Sequence, residues 1–411
     1  MIGAQFFTTI NFNIFLDTLK LLTYKLSYLR FGNEQYKLEI ELKNYLNAND
    51  SNIYTFYNGR SALYHWLKWL NLKKWSKVII SSYTCVSVVN AVLQTWLEPV
   101  YVDIDKNTLN ISVDDLKRKI DKDVRVIIVQ HTFWNPADMI NIMQIAEHND
   151  LFVIEDCAHS LGAEIGWKKV GTFGDMAIFS TGRDKVISSV TWWFLLINND
   201  EIKFKKPKLV AVSRKLALKN LMYNILAYLA WKTYNIKLWK VIMYLASKLN
   251  LIPKILTSNE KSCNFMQFNY QLPNSLAYLA RKQLKQVDKI NNHRISLANI
   301  YEKEFKKLDY IQTIKSEKFA KNIYFGFPVI FSTKNKLDLI SQKLRKHNIY
   351  LGLYRTGDNI VPSWTDLESC KYTKWNCSTA ETITHKIAVF PNHFQVNKKQ
   401  IKNIVDLIKI K

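Results

Sequence analysis

The chain has 411 residues, 48% of them hydrophobic and 22% charged, a balance that excludes a disordered chain and a single small core, and fits a large α/β domain followed by a smaller one. Five cysteines (Cys85, Cys157, Cys263, Cys370, Cys377) form no C-x-x-C pair and no metal-ligand spacing; the odd count speaks against a disulfide framework, so a cytoplasmic chain without a metal is expected. The formal charge of +24 comes from lysines spread along the chain rather than gathered in one stripe, which argues against a nucleic-acid partner while leaving a positive field that favours anionic ligands.

Residues 1–52 read as a helical N-terminal extension, with apolar residues at helical spacing from Tyr36 to Leu46. β-Branched runs follow at Lys77–Ser81, Pro99–Asp103, Val124–Gln130 and Phe152–Glu155, with helix-like segments between them. That order predicts an α/β fold with a mostly parallel sheet covered on both faces. In such sheets the chemistry gathers beyond the carboxyl ends of the strands. Ser81–Cys85, Gln130–Asn135 and Asp156–His159 occupy such places, and a further strand, Met176–Ser180, runs into Thr181–Lys185.

The large domain is expected over 53–262, with a helical insert at 203–262. Within the insert, the apolar stretch 221–252 is broken by Lys232, Lys237, Lys240 and Lys248 before the ~20 apolar residues of a membrane span accumulate. It reads either as an interfacial amphipathic helix making a peripheral membrane contact, or as a helix pair packed on the protein or on a partner subunit. Residues 263–411 read as a smaller α+β domain: a long helix, strands around Ile323–Ile330 and a closing helix at Lys398–Lys411. There is no internal repeat, no low-complexity linker and no signal-peptide pattern.

An isolated Asp after a strand is more often a helix cap than a catalyst, and a single lysine says nothing. Spacing gives Asp156 and Lys185 meaning: V-I-E-D-C-A-H-S-L-G-A at 153–163, V-G-T-F-G-D-M-A-I-F-S at 170–180, then Lys185. With N-G-R-S-A-L at 58–63, P-V-Y-V-D-I-D at 99–105, P-A-D-M at 136–139, F-N-Y-Q-L at 268–272 and F-P-N-H-F at 390–394, the chain from about Leu38 onward resembles the DegT/StrS-type sugar aminotransferases. These are fold-type I enzymes dependent on pyridoxal 5'-phosphate (PLP).

The resemblance implies a seven-stranded, mostly parallel sheet and a homodimer with shared active sites. It implies that Lys185 is the Schiff-base lysine and proton shuttle, that Asp156 pairs with the pyridine nitrogen, and that His159 lies against the ring. It places the phosphate on Gly59, Arg60 and Ser61 at a helix start, with the Ser180 hydroxyl and with Asn269 reaching across from the partner subunit. Cys85 stands where relatives carry a ring stacked on the cofactor, and Tyr83 is a substitute for it. The reaction implied carries an amino group from an amino acid, glutamate, to a nucleotide-linked keto-deoxysugar for cell-surface polysaccharide or glycolipid synthesis; His131 and the Tyr354–Asp358 loop are weaker candidates for substrate contact. Three rivals remain: a sugar dehydratase of the same family, which Lys185 opposes because those enzymes typically carry histidine there; a non-catalytic scaffold or regulator; and a membrane-surface protein working through 221–252 and the basic charge.

The family's T-x-G-E-G-G stretch after the lysine reads Ser188, Ser189, Val190, Thr191, Trp192, Trp193 here. Trp75, Trp96, Trp134, Trp167 and Trp375 also fall where turns call for a residue without Cβ. Glycine is correspondingly scarce, 11 in 411 residues or about 3%, against a usual ~7%. This is the pattern expected if UGA codons read as glycine have been rendered as tryptophan.

Overall fold

The computed structural model describes residues 2–3, 11–199, 201–253, 270–353 and 367–409. A seven-stranded sheet runs in the order Asn52–Phe56, Trp193–Ile197, Met176–Ser180, Phe152–Cys157, Val124–Gln130, Lys77–Ser81, Glu98–Val102. Trp193–Ile197 is antiparallel to both neighbours; the remaining adjacent pairs are parallel. The parallel strands are nearly continuous β-branched runs because both faces are covered, chiefly by crossover helices such as Gly59–Trp69, Val86–Gln94 and Met139–His148. Three of the expected strands keep their bounds and two shift by one or two residues. Asn52–Phe56 and Trp193–Ile197, which no segment reading marked out, complete the sheet.

The N-terminal helices are part of the large core. Glu34–Leu46 buries Leu38, Leu42 and Leu46, one residue per helical turn, against Asn274–Leu284, where Arg281 is paired with Glu34 and, at 2.6 Å, with Glu41. Phe12–Leu22 packs on Arg214–Lys232, with Phe15 and Tyr228 stacked 4.3 Å apart. Arg214–Lys232 buries Ala217, Leu221, Tyr223 and Ala227, so the packed-helix reading of 221–252 holds for that half. Leu238–Lys248 leaves Leu238, Val241, Tyr244 and Leu245 in solvent. Among the described residues no helix is long and apolar enough to cross a membrane.

A second core lies in the C-terminal part, under an antiparallel sheet of Ile311–Thr313, Gly326–Phe331 and Ile387–Pro391 backed by Lys334–Lys346 and Lys398–Ile408. It begins at Leu297, later than residue 263, because Asn274–Leu284 packs into the large core. Helix Val287–Phe305 joins the two: Val287 belongs to the first core, while Leu297, Tyr301 and Phe305 belong to the second.

Candidate active site

The carboxyl ends of the strands open into a cavity of about 1020 Å³. Side chains alternate along a strand, so on Phe152–Cys157 neighbouring acids face opposite ways. Asp156 lines the cavity, whereas Glu155 turns inward and accepts N–H bonds from Gly171 (2.7 Å), Phe173 (2.7 Å) and Gly174 (2.8 Å). Its fourth partner is His131 Nε2, 3.1 Å away; His131 Nδ1 in turn accepts from the Ala137 N–H at 3.0 Å. His131 reaches the cavity wall, but both ring nitrogens are committed to this brace and neither is left for a substrate. Cys157 joins His131 and Glu155 in a cluster whose ligand atoms lie within 4.8 Å of one another; the hydrogen bonds just named account for its two polar members.

The Asp156 carboxylate is buried and accepts from the Ala158 N–H at 3.0 Å. Burial raises its pKa above the usual carboxylate range, against the opposing pull of that N–H and of Lys185. Three residues on, His159 stacks on Trp134 (ring centroids 5.8 Å apart, planes 22° apart). Burial and then the charge of Lys185 push its pKa down to about 3, so the imidazole is neutral.

Lys185 sits in the loop between Met176–Ser180 and Trp193–Ile197. The loop is pinned by the Thr181 N–H to Trp192 O (2.8 Å), the Ser189 N–H to Thr181 O (2.8 Å), the Ser188 N–H to Gln283 Oε1 (2.9 Å) and Arg294 Nη2 to Val186 O (3.3 Å). Burial raises the neighbouring Asp184 carboxyl, but the charge of Lys185 above all, helped by Arg183, outweighs it and holds it below its ordinary range.

Across the cavity, helix Gly59–Trp69 presents its N-terminus, capped by Asn58 Oδ1, which accepts from the Ser61 N–H at 2.8 Å. Gly59 and Arg60 form the wall. Ser61 is buried behind them with its N–H already used by the cap. Ser180 and Cys85 are also on the wall, the latter exposed at the start of Val86–Gln94, beside Tyr83. The indole of Trp193 lies over Gly59, where a Cβ would come within 2.2 Å of Trp193 Cδ2. Lys185 Nζ stands 6.0 Å from the same ring. Asn269 and the Tyr354–Asp358 loop lie outside the described residues.

The donor set fits PLP. The buried Asp156 carboxylate suits a protonated ring nitrogen, a positive helix end with Ser180 suits a phosphate, and Lys185 supplies the amine. The Trp193 indole narrows the cavity at that helix start. Motif reading missed the basic wall of Arg183, Lys219 and Lys248. Its signal was present in part, since Leu216 and Lys219 are one turn apart on a helix and both face the cavity.

The profile of the DegT/DnrJ/EryC1/StrS aminotransferase family matches residues 21–409. The chain is 26% identical over 393 residues to an uncharacterised protein of Methanocaldococcus jannaschii, covering 94% of this chain and 92% of that one. It is 27% identical over 297 residues to GDP-perosamine synthase of Escherichia coli O157:H7, covering 71% and 68%. Among solved structures, the Helicobacter pylori aminotransferase involved in the biosynthesis of pseudoaminic acid shares the fold, with a TM-score of 0.73 at 18% identity over 98% of both chains.

Proposed function

Because the chain belongs to the DegT/DnrJ/EryC1/StrS aminotransferase family of PLP-dependent enzymes, we propose that it transfers the amino group of glutamate to a nucleotide-linked keto-deoxysugar destined for cell-surface polysaccharide or glycolipid. The observation that carries this reading is the meeting of Lys185, Asp156 and His159 on one cavity whose wall also bears Arg60, Arg183, Lys219 and Lys248. The similarity to GDP-perosamine synthase supports a nucleotide-sugar substrate.

Bound PLP supplies an electron sink for the negative charge that develops on the carbon next to the transferred nitrogen. Lys185 Nζ takes the proton from that carbon and returns it on the other side of the exchange. The ionised Asp156 carboxylate fixes the orientation of a cationic ring nitrogen, whose charge offsets the cost of burying the acid. A neutral His159 packs against a flat ring without adding charge beside Lys185. The four basic wall residues suit the phosphates of a nucleotide carrier.

The test is the visible absorption spectrum of the protein with PLP, for the unaltered chain and for Lys185→Ala, before and after glutamate. A band that requires Lys185 and is bleached by glutamate supports the proposal. A Lys185-dependent band that glutamate and other amino acids leave untouched would refute transamination. The second reading, a PLP-fold scaffold without turnover, is favoured by the Trp193 indole over Gly59, and it predicts no band at all. A homodimer with shared sites belongs to the first reading, and a mixture of two differently inactivated chains should regain activity. The peripheral membrane contact, if made, falls to the exposed side of Leu238–Lys248, and liposome sedimentation at low salt without pelleting would remove it.

A further inference from the structure

We infer that the protein as synthesised carries glycine, not tryptophan, at positions 75, 96, 134, 167, 192, 193 and 375, the codons there being UGA read as glycine. The backbone is the first witness. Trp75, Trp96, Trp134, Trp167 and Trp375 have φ of 68°, 62°, 68°, 75° and 70°. Only a few per cent of non-glycine residues adopt positive φ, and a bulky one there is an outlier. Five in a residue type that occurs 12 times in the chain outnumber even the four asparagines in that region, although asparagine tolerates it well. The other four described tryptophans, Trp66, Trp69, Trp231 and Trp239, all sit inside helices. By backbone, five tryptophans therefore behave as glycine and four as tryptophan, while Trp192 and Trp193 fall in neither group.

The surroundings agree. Gly166 (φ 51°) and Trp167 form the two-residue turn between Glu164–Ile165 and Lys168–Lys169, a geometry with positive φ at both central positions that selects Gly, Asn or Asp. Trp167 is 94% exposed, and Trp75, Trp96 and Trp375 are more than half exposed, their contacts being the edge-on meeting of Trp75 with Trp96 and surface lysines over the rings, so little burial compensates the backbone. Trp75 and Trp96 close adjacent loops, with the Trp75 N–H donated to Trp96 O at 2.8 Å. Trp134 and Trp192 are buried with the indole N–H unpartnered, as is that of Trp66, so burial alone does not divide the set. At 193 the argument is steric: the indole lies over Gly59, on the helix start that faces the cavity. Glycine at 192 and 193 would uncover that helix start and enlarge the cavity at its anion-binding end.

Two measurements decide the matter, and neither depends on catalysis. In the gene, UGA is expected at all seven positions and UGG at 66, 69, 231 and 239; UGG at 75, 96, 134, 167 or 375 would overturn the inference. In protein purified from its source cells, the tryptic peptide Val186–Lys203 is expected to have the mass of two glycines at 192 and 193, while Ser61–Lys68 keeps the indole of Trp66. Indole mass at 192 and 193 would overturn the assignment at the cavity.

Discussion

Glu155→Gln is the most informative single change, because four donors converge on two oxygens. Oε1 accepts from Phe173 and Gly174, and Oε2 accepts from Gly171 and His131. Whichever way the amide is turned, its NH2 faces two N–H donors and two charge-assisted bonds are lost. His131 cannot adapt by moving its proton, since Nδ1 is held as an acceptor by the Ala137 N–H. Hydrogen bonds to a charged group are worth ~1.5–3 kcal/mol each, so the expected loss is about 3–6 kcal/mol. Urea unfolding followed by circular dichroism measures it. A loss below ~1 kcal/mol would show that the brace under Asp156 is not held by the carboxylate and would refute the reasoning. The same variant should weaken PLP binding, because Asp156 is the next residue on that strand.

His159→Gln should flatten the acid side of the stability profile. The unfolded imidazole binds a proton near pH ~6.5, the folded one only near about 3. Between those values the unfolded state holds more protons, so stability falls as pH is lowered, by ~1.4 kcal/mol per unit; an unchanged slope in the variant would contradict this. Among Cys85, Cys157, Cys370 and Cys377, a thiol reagent should modify exposed Cys85 first and more slowly when PLP is bound. Burial pushes the Cys157 thiol far up and that of Cys377 to about 11, and peptide mapping that finds Cys157 first would be decisive against it. Arg281→Ala takes the guanidinium from buried Glu34 and half-buried Glu41, leaving them, among the described cations, only the exposed Lys37 and Lys285, and should cost about 1–3 kcal/mol, the partial exposure of the pair screening the rest. Glu34→Gln added to it should recover part of the loss, and a fully additive double variant would disprove the pairing.

The parallel strands were legible because burial on both faces forces continuous β-branched runs, as in Val124–Gln130. Asp156 and Lys185 were legible because strand ends in such sheets are where chemistry collects. Asn52–Phe56 escaped because its period resembles no clear face: Asn52 is exposed while Thr55 is buried. Trp193–Ile197 escaped because its first residue reads as part of the loop. His131 attracted notice for its residue type, yet its role is set by Glu155 and Ala137, contacts that spacing does not report. Lys219 and Lys248 face the cavity through the docking of two helices on the large domain, and periodicity marks a helix's apolar side without saying which pocket its polar edge will border.

Helix Val287–Phe305, shared by both cores, acts as a beam. At 19 residues it is roughly 28 Å long, and it is clamped at one end in the large core and at the other in the small one. Near its middle, Arg294 donates to Val186 O, one residue beyond Lys185, while Asn291 donates to Leu161 O at 3.1 Å, two residues beyond His159. Together with the pairing of Ala320–Lys321 and Glu164–Ile165, these two bonds tie the shared helix to the loops that carry the amine and the imidazole, so a shift of the small lobe is passed to both loops.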